Sequence, residues 1–135
     1  MIKNDISTNP RIIILQKLYS NYINKDSLIT FPKHQFKKFI KDVVNGTIER
    51  KDLIEDFIKK ELNEDINEKK TELMLKLMIM AAIYEFMFMH KTPIKVIITE
   101  YLKASDFFIE SSQRNYLNAV LDKISKICRV NDVTN

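Results

Sequence analysis

Glycine is almost missing from this chain: 135 residues contain one, Gly46, together with three prolines. Proteins built from many tight turns draw on glycine for the backbone those turns need. The shortage therefore argues against a turn-rich sheet architecture and for helices with few sharp turns. It also removes any glycine-rich phosphate cradle. The single cysteine, Cys128, excludes an intramolecular disulfide and any multi-cysteine metal site, and it fits a reducing compartment. The two histidines, His34 and His90, lie in different halves with no i,i+4 partner, so they are expected at solvent-facing loop or helix-end positions and no metal or other cofactor is expected. The longest apolar stretch, Leu77 to Met89, is broken by Glu85 and is too short to span a bilayer. No apolar run follows Met1, so no signal peptide is expected and the protein should be cytoplasmic. Catalytic groups are equally scarce. Glu55-Asp56 and Glu64-Asp65 are adjacent pairs that diverge on a helix, and Cys128, at the apolar end of the last segment, is expected to be a small buried hydrophobe rather than a nucleophile. The chain is not expected to be an enzyme.

What the sequence does have is apolar residues at helical spacing. Hydrophobic residues make up 45% of the chain, ample for a core, and its length fits one domain or two small helical halves sharing that core. Asn9-Pro10 is expected to open a first helix carrying Ile12 to Leu15, Leu18, Tyr19 and Tyr22. A second carries Phe36, Phe39, Ile40, Val43 and Val44 and is expected to end at Gly46 as a left-handed cap. Thr47 is then expected to cap a third, with Leu53, Ile54, Phe57, Ile58 and Leu62. The polar run 63–70 reads as a linker, and Asp65 with Glu68 has capping-box spacing. A fourth helix, from about Thr71 to Met89, is apolar on more than one face and should lie centrally. Thr92 as cap and Pro93 as first helical residue open a fifth, to about Phe108. Ser111 or Ser112 caps a sixth, to about Cys128, and the tail from Arg129 should fray. The predicted fold is all-α, with about six to seven helices in two packed bundles, an N-terminal half of about 9–63 and a C-terminal half of about 68–128.

Three blocks carry a family resemblance: Tyr84-Glu85-Phe86, then Pro93-Ile94-Lys95-Val96-Ile97-Ile98-Thr99-Glu100, then Tyr116-Leu117-Asn118-Ala119-Val120-Leu121-Asp122. In this order and at this spacing the chain resembles NusB-type transcription antitermination factors. The resemblance implies the same two-bundle all-α fold and no enzymatic activity. It implies binding of the boxA element of ribosomal RNA transcripts as single-stranded RNA, jointly with a small ribosomal-subunit protein called NusE, within a transcription antitermination complex. RNA cytosine methyltransferases carry a similar N-terminal domain, but their chemistry resides in a following domain. A net charge of +4 with a pI of about 9.1 is compatible with RNA, although the charges are largely interleaved, as on a solvated helix surface.

In the family the first helix is preceded by a run of arginines, then a Q-x-L-Y block. Here the block is Gln16-Lys17-Leu18-Tyr19, with Arg11 before it. Ser7-Thr8-Asn9-Pro10 stands where further arginines belong, and Lys3 and Lys17 replace part of that charge. Arg11 reads as a phosphate or base-edge contact, or as an ordinary surface charge on the first turn. Tyr19 reads as a stacking platform, or as core beside Leu15 and Leu18. Tyr116 offers a second stacking face, with Gln113, Arg114 and Asn115 beside it, while Asn118 reads as a polar contact between helices. Met80 stands where the family usually has an arginine. The methionines from Met74 to Met89 read as gap-fillers of the core. Lys33, Lys37 and Lys41 form a basic stripe with Lys38 and His34 alongside, either a solvated face or an anion site. The expected RNA-binding residues are Arg11, Gln16, Tyr19, Arg114, Asn115 and Tyr116. The alternative is a protein-interaction module, or a homodimer, of the same fold whose RNA surface has decayed.

Overall fold

A computed structural model describes residues 9–67 and 71–130. Six α-helices make up the described chain: α1 (Pro10–Ile23), α2 (Lys37–Glu49), α3 (Lys51–Glu61), α4 (Leu73–Phe88), α5 (Ile94–Ser105) and α6 (Arg114–Cys128). A short 3-10 turn, Ser111–Gln113, leads into α6, and no strand occurs among the described residues. The fold is all-α, as the periodicity predicts.

Helix α4 is the axis. Leu75 and every residue from Leu77 to Phe86 are buried, because α1, α2, α3, α5 and α6 all pack against it. A helix that is apolar all round has no solvent face to lose, which explains why Leu77–Phe86 reads as one continuous apolar run broken only by Glu85. Helices α2 and α6 are amphipathic, and each buries one stripe: Ile40, Val43 and Val44 from α2, and Leu117, Val120, Leu121 and Ile124 from α6. Met78 and Met80 lie in the core; Met74, Met87 and Met89 pack half-buried on its edge.

The helix ends depart from expectation in four places. Asn9 caps α1 as its type suggests, its side-chain oxygen accepting from the N–H groups of Arg11 and Ile12. Gly46, however, is not a left-handed cap. It lies inside α2 with an ordinary negative φ. A Cβ there would fall 2.1 Å from Cζ of Tyr84, so the glycine is required for close approach of α2 to α4. Thr47 is likewise inside α2, buried, and caps nothing. Pro93 occupies the cap position of α5 rather than its first turn, and Thr92 makes no capping bond with its side chain. Neither Ser111 nor Ser112 caps α6 by a side-chain bond. The proposed capping partner Glu68 lies outside the described residues.

Arg129 is the largest departure. Instead of fraying, it is buried, and its guanidinium donates to the carbonyls of Glu85, Phe86, Met89 and Thr92. Among them the Phe86 carbonyl lies in the last turn of α4, past the last intrahelical acceptor, while the Glu85 carbonyl also accepts from the N–H of the cap residue Met89. A cation placed on them satisfies the acceptors and complements the negative end of the helix.

Candidate nucleic-acid interface

The first five residues of α1 after its proline, Arg11 to Leu15, are all buried. They enter the space between α2, α4 and α5, so no side of this turn faces water. Arg11 is therefore not an ordinary surface charge, and its guanidinium is already paired. It is 6% exposed, and it forms a bidentate ion pair with Glu85, Nε to Oε2 at 3.1 Å and Nη2 to Oε1 at 2.6 Å. Glu85 is fully buried and also accepts from the hydroxyl of Tyr101 at 2.5 Å. The guanidinium lies over the rings of Phe39, at 5.0 Å, and Tyr101, at 5.4 Å. Burial disfavours the Arg11 charge, but Glu85, with Tyr101 and Glu100, outweighs it and raises its pKa. Burial, then the neighbouring Glu85 carboxylate, holds the Tyr101 hydroxyl well above its ordinary range. The Glu of the Y-E-F block is thus the counter-ion of the arginine before the Q-x-L-Y block, a pairing across 74 residues that no local pattern reveals.

After Leu15 one side of helix α1 faces solvent while Leu18 stays in the core. Gln16 is exposed, Tyr19 is 42% exposed, and Tyr22, one turn further on, is 49% exposed. Tyr19 and Tyr22 are at i,i+3 and so share a face. Tyr22, which periodicity assigns to the apolar side, is exposed instead. Its only signal in the sequence is that it is a tyrosine in the last turn of its helix. Lys17 is half-buried; Lys3 lies outside the described residues.

On α6, Asn115 is exposed. Arg114 is half-buried, with Nη1 donating to the Leu102 carbonyl at 2.7 Å and to Asp106 at 2.9 Å, so it ties α6 to the end of α5. The Tyr116 hydroxyl donates to the Asp65 carbonyl, and burial raises its pKa. Its ring remains half-exposed. Asn118 faces solvent and bridges no helices.

The two groups meet at one end of the molecule. Arg11 reaches Glu85 near the last turn of α4, whereas Leu18 and Tyr22 line a pocket with Leu73 and Leu77 near its first turn. Helix α1 therefore runs antiparallel to α4. Tyr116 lies against Asp65, just before α4, while Arg129 grips the other end, so α6 runs parallel to α4. The exposed end of α1 and the start of α6 both lie at the N-terminal end of the axis, without packing on each other. The lysines of α2 lie apart from them. Phe39 sits under Arg11, which places the start of α2 beside the start of α1. There Lys33 and Lys37 are exposed, Lys38 pairs with Asp42 at 2.9 Å, and Lys41 approaches the Phe31 ring.

Residues 8–126 match the NusB family. This chain belongs to that family. It is 27% identical over 121 residues to the transcription antitermination protein NusB of Rickettsia massiliae, covering 84% of this chain and 75% of that one. The corresponding protein of Rickettsia akari is 29% identical over 118 residues with the same coverage, and that of Rhodopseudomonas palustris BisB5 is 24% identical over 96 residues, covering 71% of this chain and 55% of that one. No solved structure matches the chain. Membership makes it a non-enzymatic NusB-type transcription antitermination factor. Two structural facts stand beside this: burial pushes the Cys128 thiol up to about 11, so it is protonated at neutral pH, and no helix among the described residues is long and apolar enough to cross a membrane.

Proposed function

We propose that this NusB-family chain binds boxA-type single-stranded RNA of ribosomal transcripts, together with the ribosomal protein NusE, in an antitermination complex. The observation that carries the reading is the exposed pair Tyr19 and Tyr22 beside exposed Gln16, at the same end as Asn115 and the half-exposed ring of Tyr116. Unpaired bases stack on such rings, and amides at their edge read base hydrogen-bonding groups. Arg114 acts by holding this end of α6 to α5, not as a free phosphate ligand. Arg11 supports the surface from below, by fixing where α1 leaves the core.

A partner surface is supported on α5, where Val96, and Phe107 just past its end, are exposed apolar residues. Because Arg11 is occupied by Glu85, phosphate contacts at the start of α1 are few. The chain alone is then expected to bind RNA weakly, and a docked partner adds contacts to the same strand. That same burial favours the second reading, a protein-interaction or homodimer module with a lost RNA surface. Titrating a fluorescently labelled boxA-type RNA at two salt concentrations, with and without NusE, separates them. Binding that strengthens with the partner and weakens with salt supports the first; no RNA binding under any of these conditions, with a stable dimer in sedimentation, supports the second.

A further inference from the structure

A cavity at the same end of the molecule has no role in the reading above. The end of α1, the α2–α3 junction and the start of α4 enclose about 200 Å³. Leu18, Leu77 and Met80 make its walls apolar, but its rim is basic. Lys25, Lys51 and Lys76 line it against one carboxylate, Glu55, which lies 3.9 Å from Lys51. The lining charge is thus three positive against one negative. Tyr22 contributes a half-exposed ring at the mouth. Thr47 lies in the wall, 2% exposed, and its Oγ1 has no hydrogen-bond partner. Buried hydroxyls are nearly always paired, so an orphan in a cavity wall points to a partner supplied from outside. Thr71, also lining the cavity, interacts with the Tyr116 hydroxyl, so one lining residue touches the start of α6.

We propose that this cavity takes one unstacked base of the bound RNA strand, with the flanking phosphates on Lys25 and Lys51. The inference rests on the RNA-binding reading above. The space is below the roughly 300 Å³ at which pockets for drug-sized ligands begin, so it suits a single planar ring system. Apolar walls, one aromatic edge and a hydroxyl are what a splayed-out base meets when it leaves the stack. The excess of lysines fits the phosphate on either side of it. The strand then runs from Tyr19 and Tyr22, dips into the cavity beside Leu18, and emerges past Thr71 towards Tyr116.

The test is a labelled single-stranded boxA-type RNA in which one abasic nucleotide is walked along the sequence, measured with NusE present. Wild-type protein should show one position, besides those stacked on Tyr19 and Tyr22, where loss of the base weakens binding about tenfold or more. In Asn21→Phe, which places a ring in the cavity from the half-exposed face of α1, that position should lose its penalty while positions stacked on Tyr19 keep theirs. Lys25→Glu alters an exposed side chain, leaves folding intact, and should lower the salt slope by about one. If RNA binds normally but both variants match wild type with an unchanged abasic profile, the cavity proposal is overturned and the RNA reading stands. If adenosine or uridine monophosphate alone shifts the amide resonances of Thr47 and Leu77 at concentrations as low as the RNA does, the cavity belongs to free nucleotides and the proposal is overturned. No RNA binding by wild type at low salt overturns both.

Discussion

Replacing Arg11 by methionine should unfold the protein more readily without changing how RNA binding responds to salt. The substitution keeps most of the side-chain volume but leaves the Glu85 carboxylate, fully buried, with only the Tyr101 hydroxyl as partner. Removing one partner of a buried ion pair costs about 3–5 kcal/mol, because the remaining charge has lost both its counter-ion and its water. At about 3–4 °C per kcal/mol for a chain of this size, the melting temperature should fall by roughly 10–20 °C. Thermal melts followed by circular dichroism at 222 nm, with urea denaturation alongside, measure it. Removing the pair and its hydroxyl together, as Arg11→Met/Glu85→Leu/Tyr101→Phe, should recover most of the loss, since an apolar replacement of similar volume is often neutral. The double variant Arg11→Met/Glu85→Leu should fall between, as it leaves the Tyr101 hydroxyl unpaired at about 1–3 kcal/mol. RNA affinity measured below the transition should retain the wild-type salt slope. If Arg11→Met melts within about 2 °C of wild type, or loses about one unit of salt slope with its stability intact, Arg11 faces the phosphate backbone and the buried pair is not its role.

Gly46→Ala should destabilise by about 1–3 kcal/mol in urea, since its methyl meets the Tyr84 ring, and Gly46→Ala/Tyr84→Leu should recover part of that. Tyr19→Ala and Tyr22→Ala should each weaken RNA binding about tenfold while melting near wild type, because both rings are largely outside the core. Stability should hold up to about pH 9 and decline towards pH 11. Burial pushes the Cys128 thiol from its ordinary 9.0 to about 11 and raises the Tyr101 hydroxyl, so the folded state holds protons that the unfolded chain releases. Cys128→Ala should flatten part of that decline, and Cys128 should react with iodoacetamide at pH 7.5 far more slowly in native than in denatured protein.

Helices were legible because each has a local cause. Asn9-Pro10 makes a cap, and apolar residues three and four apart make a stripe wherever they occur. Gly46-Thr47 was misleading for the same reason. The pair looks like the end of one helix and the start of the next, but the glycine answers to Tyr84, 38 residues away, and the threonine is simply carried into the core beside it. Arg11 is the parallel case at the interface. A cation in the first turn of a helix looks exposed until the fold brings Glu85 to it. Tyr19, Gln16 and Asn115 stand at the surface, where the proposed interface needs them. The exposure of Tyr22 and the cavity beside it were not legible, because both depend on how the end of α1 sits against the start of α4.

Glu85 is where two distant parts of the chain are joined. Its carboxylate takes Arg11, and its backbone carbonyl takes Arg129 at 3.1 Å. A nascent chain leaving the ribosome exposes Arg11 first, and that guanidinium stays hydrated until residue 85 has emerged. The carbonyls at the end of α4 then wait for residue 129. The N-terminal half therefore gains its central helix only when residue 85 has been made, and that helix gains its C-terminal clasp only with residue 129.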